Sequence, residues 1–196
     1  MTWTLFDYGV GNLHSLRKAL EACGAKAEVS TDAARLRDAQ VAVLPGVGAF
    51  GHVMRSLAPA ANILRQRHAE GRPILGICIG HQALYESSDE SPHVAGLGIL
   101  PGHVAALPAA AGKVPHMGWN TVTSKHPWLA GLGHVYYVHS YAAPPGVHSV
   151  ATTHYGMDFS AADIAGNTVA FQFHPEKSGR VGLALLSKVV AHLEAA

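Results

Sequence analysis

Two cysteines, Cys23 and Cys78, are all that the chain holds, and their surroundings are unlike. That is too few for a disulfide framework, and a thiol kept for chemistry requires a reducing compartment. Charge is scarce as well. Asp, Glu, Lys and Arg make up 14% of the residues and leave a formal net charge of +1. This excludes a basic stripe for nucleic acid and a polybasic membrane patch. No apolar run approaches membrane-spanning length. The opening Met1–Phe6 has neither the length nor the basic leader of a secretory signal. The expectation is a soluble cytoplasmic protein. Hydrophobic residues nevertheless reach 48% of 196. That suffices for a sizeable core in one domain spanning residues 1–196, with no repeat or linker to divide it.

What is present is an alternation of strand-like and helix-like segments in the first half. Thr2–Phe6, Lys26–Ser30, Val41–Leu44 and Pro73–Ile77 read as short buried strands. Asn12 suits the N-cap of a helix running to about Cys23, with Gly24 just past its end. Thr31–Arg37 reads as a short helix or turn, and 52–70 as one helix closed by Gly71. Such alternation predicts an open, mostly parallel sheet with helices on both faces. From about Ser91 the glycines and prolines break up the pattern, which predicts a small antiparallel β insertion. Thr168–Phe173 is a further strand and Gly182–Leu193 a closing amphipathic helix. Gly9 and Gly11 imitate a dinucleotide loop, but His14 stands where the third glycine belongs, so no cofactor is expected.

The stretch Gly76-Ile77-Cys78-Ile79-Gly80-His81-Gln82 carries the chemistry. A strand runs into a cysteine, and helix-compatible Gln82–Glu86 follows, as in a nucleophile elbow. Gly76 and Gly80 suit a crossing so tight that a Cβ at either place would obstruct it. Cys78 at such a turn has its thiolate favoured by the bare N–H groups beyond it. Taken alone, the stretch fits a buried strand cysteine beside two turn glycines about as well.

A cysteine nucleophile needs a base, and the base needs a group to hold it. His174 closes an apolar strand, and Glu176 lies two residues on, on the same side of an extended chain. The order Cys78, His174, Glu176 fits triad logic. An oxyanion hole then has two candidate donors: the N–H of Ile79, and the glycine-rich loop Pro45–Gly48 through Val47 or Gly48. Acyl transfer from an amide or ester is the reaction class. The 14 histidines do not imply a metal, since neither a His-Glu-x-x-His run nor paired-cysteine spacing is present. They read as scattered over the surface, and Cys23 as a helix core residue.

The elbow, together with His174-Pro175-Glu176, resembles the class I (triad) glutamine amidotransferases. Asp7–Asn12, Pro45–Gly48, Val114–Asn120, Tyr137–Tyr141 and Phe173–Ser178 narrow the resemblance to the glutaminase subunits of imidazole glycerol phosphate synthase. Ile79 departs mildly from the usual leucine and keeps the backbone donor, and His81 occupies a variable position. The resemblance implies a flavodoxin-like fold and hydrolysis of L-glutamine through a Cys78 thioester, with no metal or other cofactor. It implies that Gln82, Gly48, His139, Ser140 and Tyr141 contact the glutamine. It implies a (β/α)8-barrel cyclase partner that takes the ammonia to form imidazole glycerol phosphate and the aminoimidazole carboxamide ribotide. Asn12, Trp119, Tyr136 and Lys177 match positions that line the interface, although Trp119 and Tyr136 by themselves read as core aromatics. Two other readings remain: the glutaminase of another synthase, such as that for pyridoxal phosphate, and a non-catalytic binding module of the same fold.

Overall fold

Strands and helices alternate from the start in this computed structural model, which describes residues 2–9 and 13–196. The order opens with β1 (Trp3–Phe6), α1 (Leu13–Ala22), β2 (Ala27–Ser30), α2 (Ala33–Asp38) and β3 (Val41–Leu44). Next come α3 (Phe50–Leu57), α4 (Ala61–Ala69), β4 (Ile74–Ile77) and the single turn α5 (Ile79–Gln82). Short strands follow: β5 (Ser87–Ser88), β6 (His103–Ala106), β7 (His116–Thr121), β8 (Thr123–Ser124), β9 (His134–His139) and β10 (Tyr141–Ala142). β11 (Ser149–His154), β12 (Asp158–Ala165), β13 (Thr168–Phe171) and α6 (Gly179–Ala195) complete it.

The main sheet runs β2-β1-β3-β4-β13-β12-β11-β8. Its first five strands are parallel. The last three run antiparallel to their neighbours, so much of the second half extends the sheet. The insertion itself is two small sheets, β10-β6-β5 and β7-β9. β1, β3, β4 and β13 are buried at every residue, as both covered faces require. Alternate side chains feed two cores. Trp3, Leu5, Val41, Val43, Leu75 and Ile77 meet Leu16 and Leu20 of α1 and Leu185 and Leu186 of α6. Phe6, Ala42, Leu44 and Ile74 meet Leu36, Val53, Leu57 and Leu64 of the helices on the opposite face.

Several boundaries differ from the sequence reading, each for a physical reason. The helix expected over 52–70 is two, α3 and α4, joined by a 3-10 turn at Ala58–Ala60. Pro59 lacks the N–H and crowds the preceding turn, so one continuous helix is blocked. The helix expected over Gln82–Glu86 ends at Gln82. The carbonyls of Ala83, Leu84 and Tyr85 instead accept from the N–H groups of Leu97, Ile99 and Gly98. The last strand stops at Phe171: Gln172 N–H still reaches Ala161 O on β12, but the N–H of His174 turns away to Tyr136 O. Cys23 lies just beyond α1 and is half-buried. The cap expected at Asn12 lies outside the described residues.

Candidate active site

The sequence around Cys78 builds a sharp corner. Cys78 stands between β4 and α5, donates its N–H to Phe171 O at 2.7 Å, and caps α5 at φ 50, ψ −106. Among the described residues it is the one non-glycine at positive φ. Such backbone is costly for an L-residue and persists where the surroundings over-determine it. Both flanking glycines are needed. A Cβ at Gly76 would lie 3.0 Å from Gly80 O, and one at Gly80 would collide with the carbonyl of Leu44 at the end of β3.

His174 reaches Cys78 from the far end of the chain. The parallel pairing of β13 with β4 sets Phe171 opposite Ile77, so the segment after β13 lies beside the corner. His174 is 1% exposed, and its Nδ1 lies 2.8 Å from Glu176 Oε1. Nδ1–H donating to the carboxylate leaves Nε2, which is buried and has no hydrogen-bond partner, as the atom available to the sulfur. Burial works against a positive imidazole. The Cys78 thiolate, and after it Glu176, outweigh burial and raise the His174 pKa above its ordinary value. The Pro45–Gly48 loop crosses directly over this pair. A Cβ at Gly46 would lie 2.9 Å from His174 Cε1, so that glycine serves the approach of the imidazole. Gly48 sits at φ 122 on the exposed part of the loop.

A cleft of about 230 Å³ opens at Cys78. Val47, Gly48, Ile79, Gln82, His139, Ser140 and Tyr141 all line it. The structure therefore brings together every residue that sequence reasoning named for the oxyanion hole and for substrate. Of the remaining group, Trp119 lies on β7, Tyr136 on β9 and Lys177 in the short turn that follows His174. Trp119 is 56% exposed and meets the Tyr136 ring edge-on at 5.9 Å. It is no core aromatic. The backbone ties this surface to the corner: His174 N–H donates to Tyr136 O at 2.9 Å, and Lys177 N–H to His174 O at 3.1 Å. Asn12 lies outside the described residues.

Four features escaped the sequence reading. Glu90 is the one carboxylate lining the cleft among the described residues, and its Oε2 accepts from Phe50 N–H at 2.7 Å. Gln172, fully buried, stands with its amide nitrogen 3.7 Å from Cys78 Sγ. His81, read from sequence only as a variable position, is buried 2.6 Å from Asp163, whose carboxylate also accepts from Tyr85 and Ser160. His116 lies 3.0 Å from His139. The histidines are thus not merely scattered over the surface: His81, His116, His139 and His174 are all buried. Nothing in the local sequence marks these side chains, because their partners are 23 to 94 residues away.

The His116–His139 pair makes a pH prediction. Burial pushes His116 down to about 4, and burial, reinforced by His116, pushes His139 down to about 3. Folded, both stay neutral as pH falls through about 6.5, where the unfolded chain takes up the protons. Stability should therefore fall as pH is lowered from about 6.5 towards about 4. Urea midpoints measured at steps through this range check it. The His116→Gln variant should show a shallower fall, and an equal fall in both would remove the histidines as its cause.

Residues 4–192 match the family described as glutamine amidotransferase class-I. The imidazole glycerol phosphate synthase subunit HisH of Cutibacterium acnes is 47% identical, over 94% of this chain and 93% of its own. That of Methanosarcina acetivorans is 41% identical, over 95% and 96%. A crystal structure of a glutamine amidotransferase, 18% identical, superposes with a TM-score of 0.75 over 99% of each chain and so shares the fold. With near end-to-end identity of this order, the chain belongs to the class I glutamine amidotransferases, among the HisH subunits of imidazole glycerol phosphate synthase.

Proposed function

We propose that the protein hydrolyses L-glutamine to glutamate and ammonia in the cytoplasm, as one glutamine amidotransferase domain paired with a (β/α)8-barrel cyclase subunit. The observation that carries this is the strained Cys78 corner at the floor of a cleft, with a Glu176-held imidazole beside it. The Cys78 thiolate attacks the side-chain carboxamide carbon, and the N–H groups of Ile79 and of Val47 or Gly48 take the developing oxyanion. His174 gives its proton to the departing ammonia, leaving a γ-glutamyl thioester. It then takes a proton from water, which attacks the thioester and releases glutamate. Glu176 holds the imidazole throughout. Gln82, Gly48, His139, Ser140 and Tyr141 position the glutamine. Glu90 supports the same reading, since the one carboxylate in the cleft suits the α-ammonium group.

Ammonia then passes unprotonated to the cyclase, which forms imidazole glycerol phosphate and the aminoimidazole carboxamide ribotide. Trp119, Tyr136, Lys177 and Asn12 face that subunit, and the chemistry requires no cofactor in this chain. Supporting the docking side, Met117 and Trp119 stand exposed at 60% and 56% on one face of β7. Incubation with labelled glutamine, with and without the barrel subunit, tests the proposal. A covalent adduct on Cys78 is expected, with turnover by the chain alone about a hundredfold or more below that of the complex, because the Pro45–Gly48 loop can hold its oxyanion donor turned away until the partner binds. Full turnover by the isolated chain would remove the partner from the mechanism, and an adduct elsewhere would remove Cys78.

A further inference from the structure

The geometry points to Gln172 as a further catalytic residue: its side-chain N–H donates to the Cys78 sulfur and steadies the thiolate. This rests on Cys78 being the nucleophile, as proposed above, and adds a group that the triad does not contain. The β alternation explains how Gln172 arrives. Phe171 and Phe173 enter the core beneath α1 and α6, while Ala170 enters the opposite one, so Gln172 turns towards α5. It is 0% exposed there. Burying a carboxamide is costly unless both of its ends are bonded.

The two ends are told apart by the network. Tyr141 O is a backbone carbonyl and can only accept. The carboxamide end of Gln82 that lies 2.7 Å from it must therefore be the NH2 group. The same nitrogen lies 3.0 Å from one end of the Gln172 carboxamide, which must be its oxygen. That leaves the Gln172 NH2 group 3.7 Å from Cys78 Sγ. A second chain fixes the same carbonyl. His139 Nδ1 lies 2.9 Å from Tyr141 O and must carry a hydrogen, so its Nε2 accepts from His116 Nδ1 at 3.0 Å. His116 Nε2 then accepts from Asn120 Nδ2 at 3.3 Å.

The sulfur's remaining neighbour acts in the opposite sense. Val138 O lies 3.7 Å from Sγ and can hold only the protonated thiol. Ionisation turns that contact repulsive, whereas the Gln172 donor strengthens when its acceptor is charged. Gln172 and the imidazolium favour the anion, and the Val138 carbonyl favours the neutral form.

The test follows alkylation of the full chain by iodoacetamide across pH in Gln172→Met and Gln172→Glu. Peptide masses separate Cys78 from Cys23. The pH of half-maximal Cys78 alkylation should rise by about one unit in the methionine variant and further in the glutamate variant, with Cys23 unmoved. A purely packing role would lower stability and leave this profile in place, and an unmoved profile in folded variants overturns the assignment. Should both variants fail to fold, the unmutated chain decides. Its Gln172 side-chain amide proton signal should move in step with Cys78 titration, and a static signal overturns the assignment. Reaction of the unmutated chain with a glutamine-derived chloroketone separates the two claims. An unlabelled Cys78 removes the amidotransferase reading and this one with it. A labelled Cys78 with an unmoved profile removes only the role of Gln172.

Discussion

Replacing Cys78 by alanine should lower glutamine-dependent turnover by roughly four to six orders of magnitude, the loss seen when a nucleophile acting in concert with its base is removed. His174 and the oxyanion donors would remain, but no atom would be placed to form the acyl intermediate. Alanine is the informative substitution because it keeps a Cβ, and so keeps the backbone at φ 50 under the same constraint. The defect is then chemical and not conformational. Synthesis by the assembled enzyme fed with ammonium salts should stay within about twofold, since ammonia is all that the chain is proposed to hand to the cyclase. Release of glutamate and formation of the imidazole product, measured side by side, check this. Glutamine-dependent synthesis that survives in Cys78→Ala would end the thioester mechanism. Loss of ammonia-dependent synthesis as well would show that the substitution had disturbed the pairing with the cyclase.

A second large effect is expected two residues further on. In Gly80→Ala the new methyl group would run into the carbonyl oxygen of Leu44, with Leu44 C at 2.7 Å and Cβ at 2.9 Å. These atoms end a central strand and cannot swing aside as a flexible side chain would. To make room, α5 must lift off β3 and carry Cys78, Ile79 and Gln82 with it. A cost above about 4 kcal/mol is expected, together with loss of adduct formation at Cys78. Gly76→Ala provides the comparison. Its methyl would meet Gly80 O at 3.0 Å and His81 N at 3.1 Å, contacts that small shifts can relieve. A cost of about 1–3 kcal/mol suits it. Denaturant unfolding of both variants checks the ranking. Equal stability of Gly80→Ala and the unmodified chain would mean that strand and helix do not approach so closely.

Side chains whose job is done by neighbours in the chain were readable from the sequence. The corner at Cys78, its two glycines, and the pairing of His174 with Glu176 two residues on all follow from local geometry. Helix ends were less readable. The early stop of α5 depends on residues 97–99 taking the carbonyls of 83–85, and that competition is invisible from either segment alone. His81 shows the limit most clearly: its position read only as variable, yet it is buried against Asp163, 82 residues away.

The order of residues by itself determined the alternating α/β layout, the strained cysteine and the imidazole–carboxylate pair, because period-2 and period-3.6 patterning and glycine placement act over a few residues. Only the tertiary structure decided which groups surround the sulfur. Gln172 comes beside Cys78 because β13 and β4 are parallel and align their C-terminal ends, an alignment set by the burial of two cores, while Glu90 and His139 reach the cleft from segments outside the main sheet. No run of neighbouring residues encodes it.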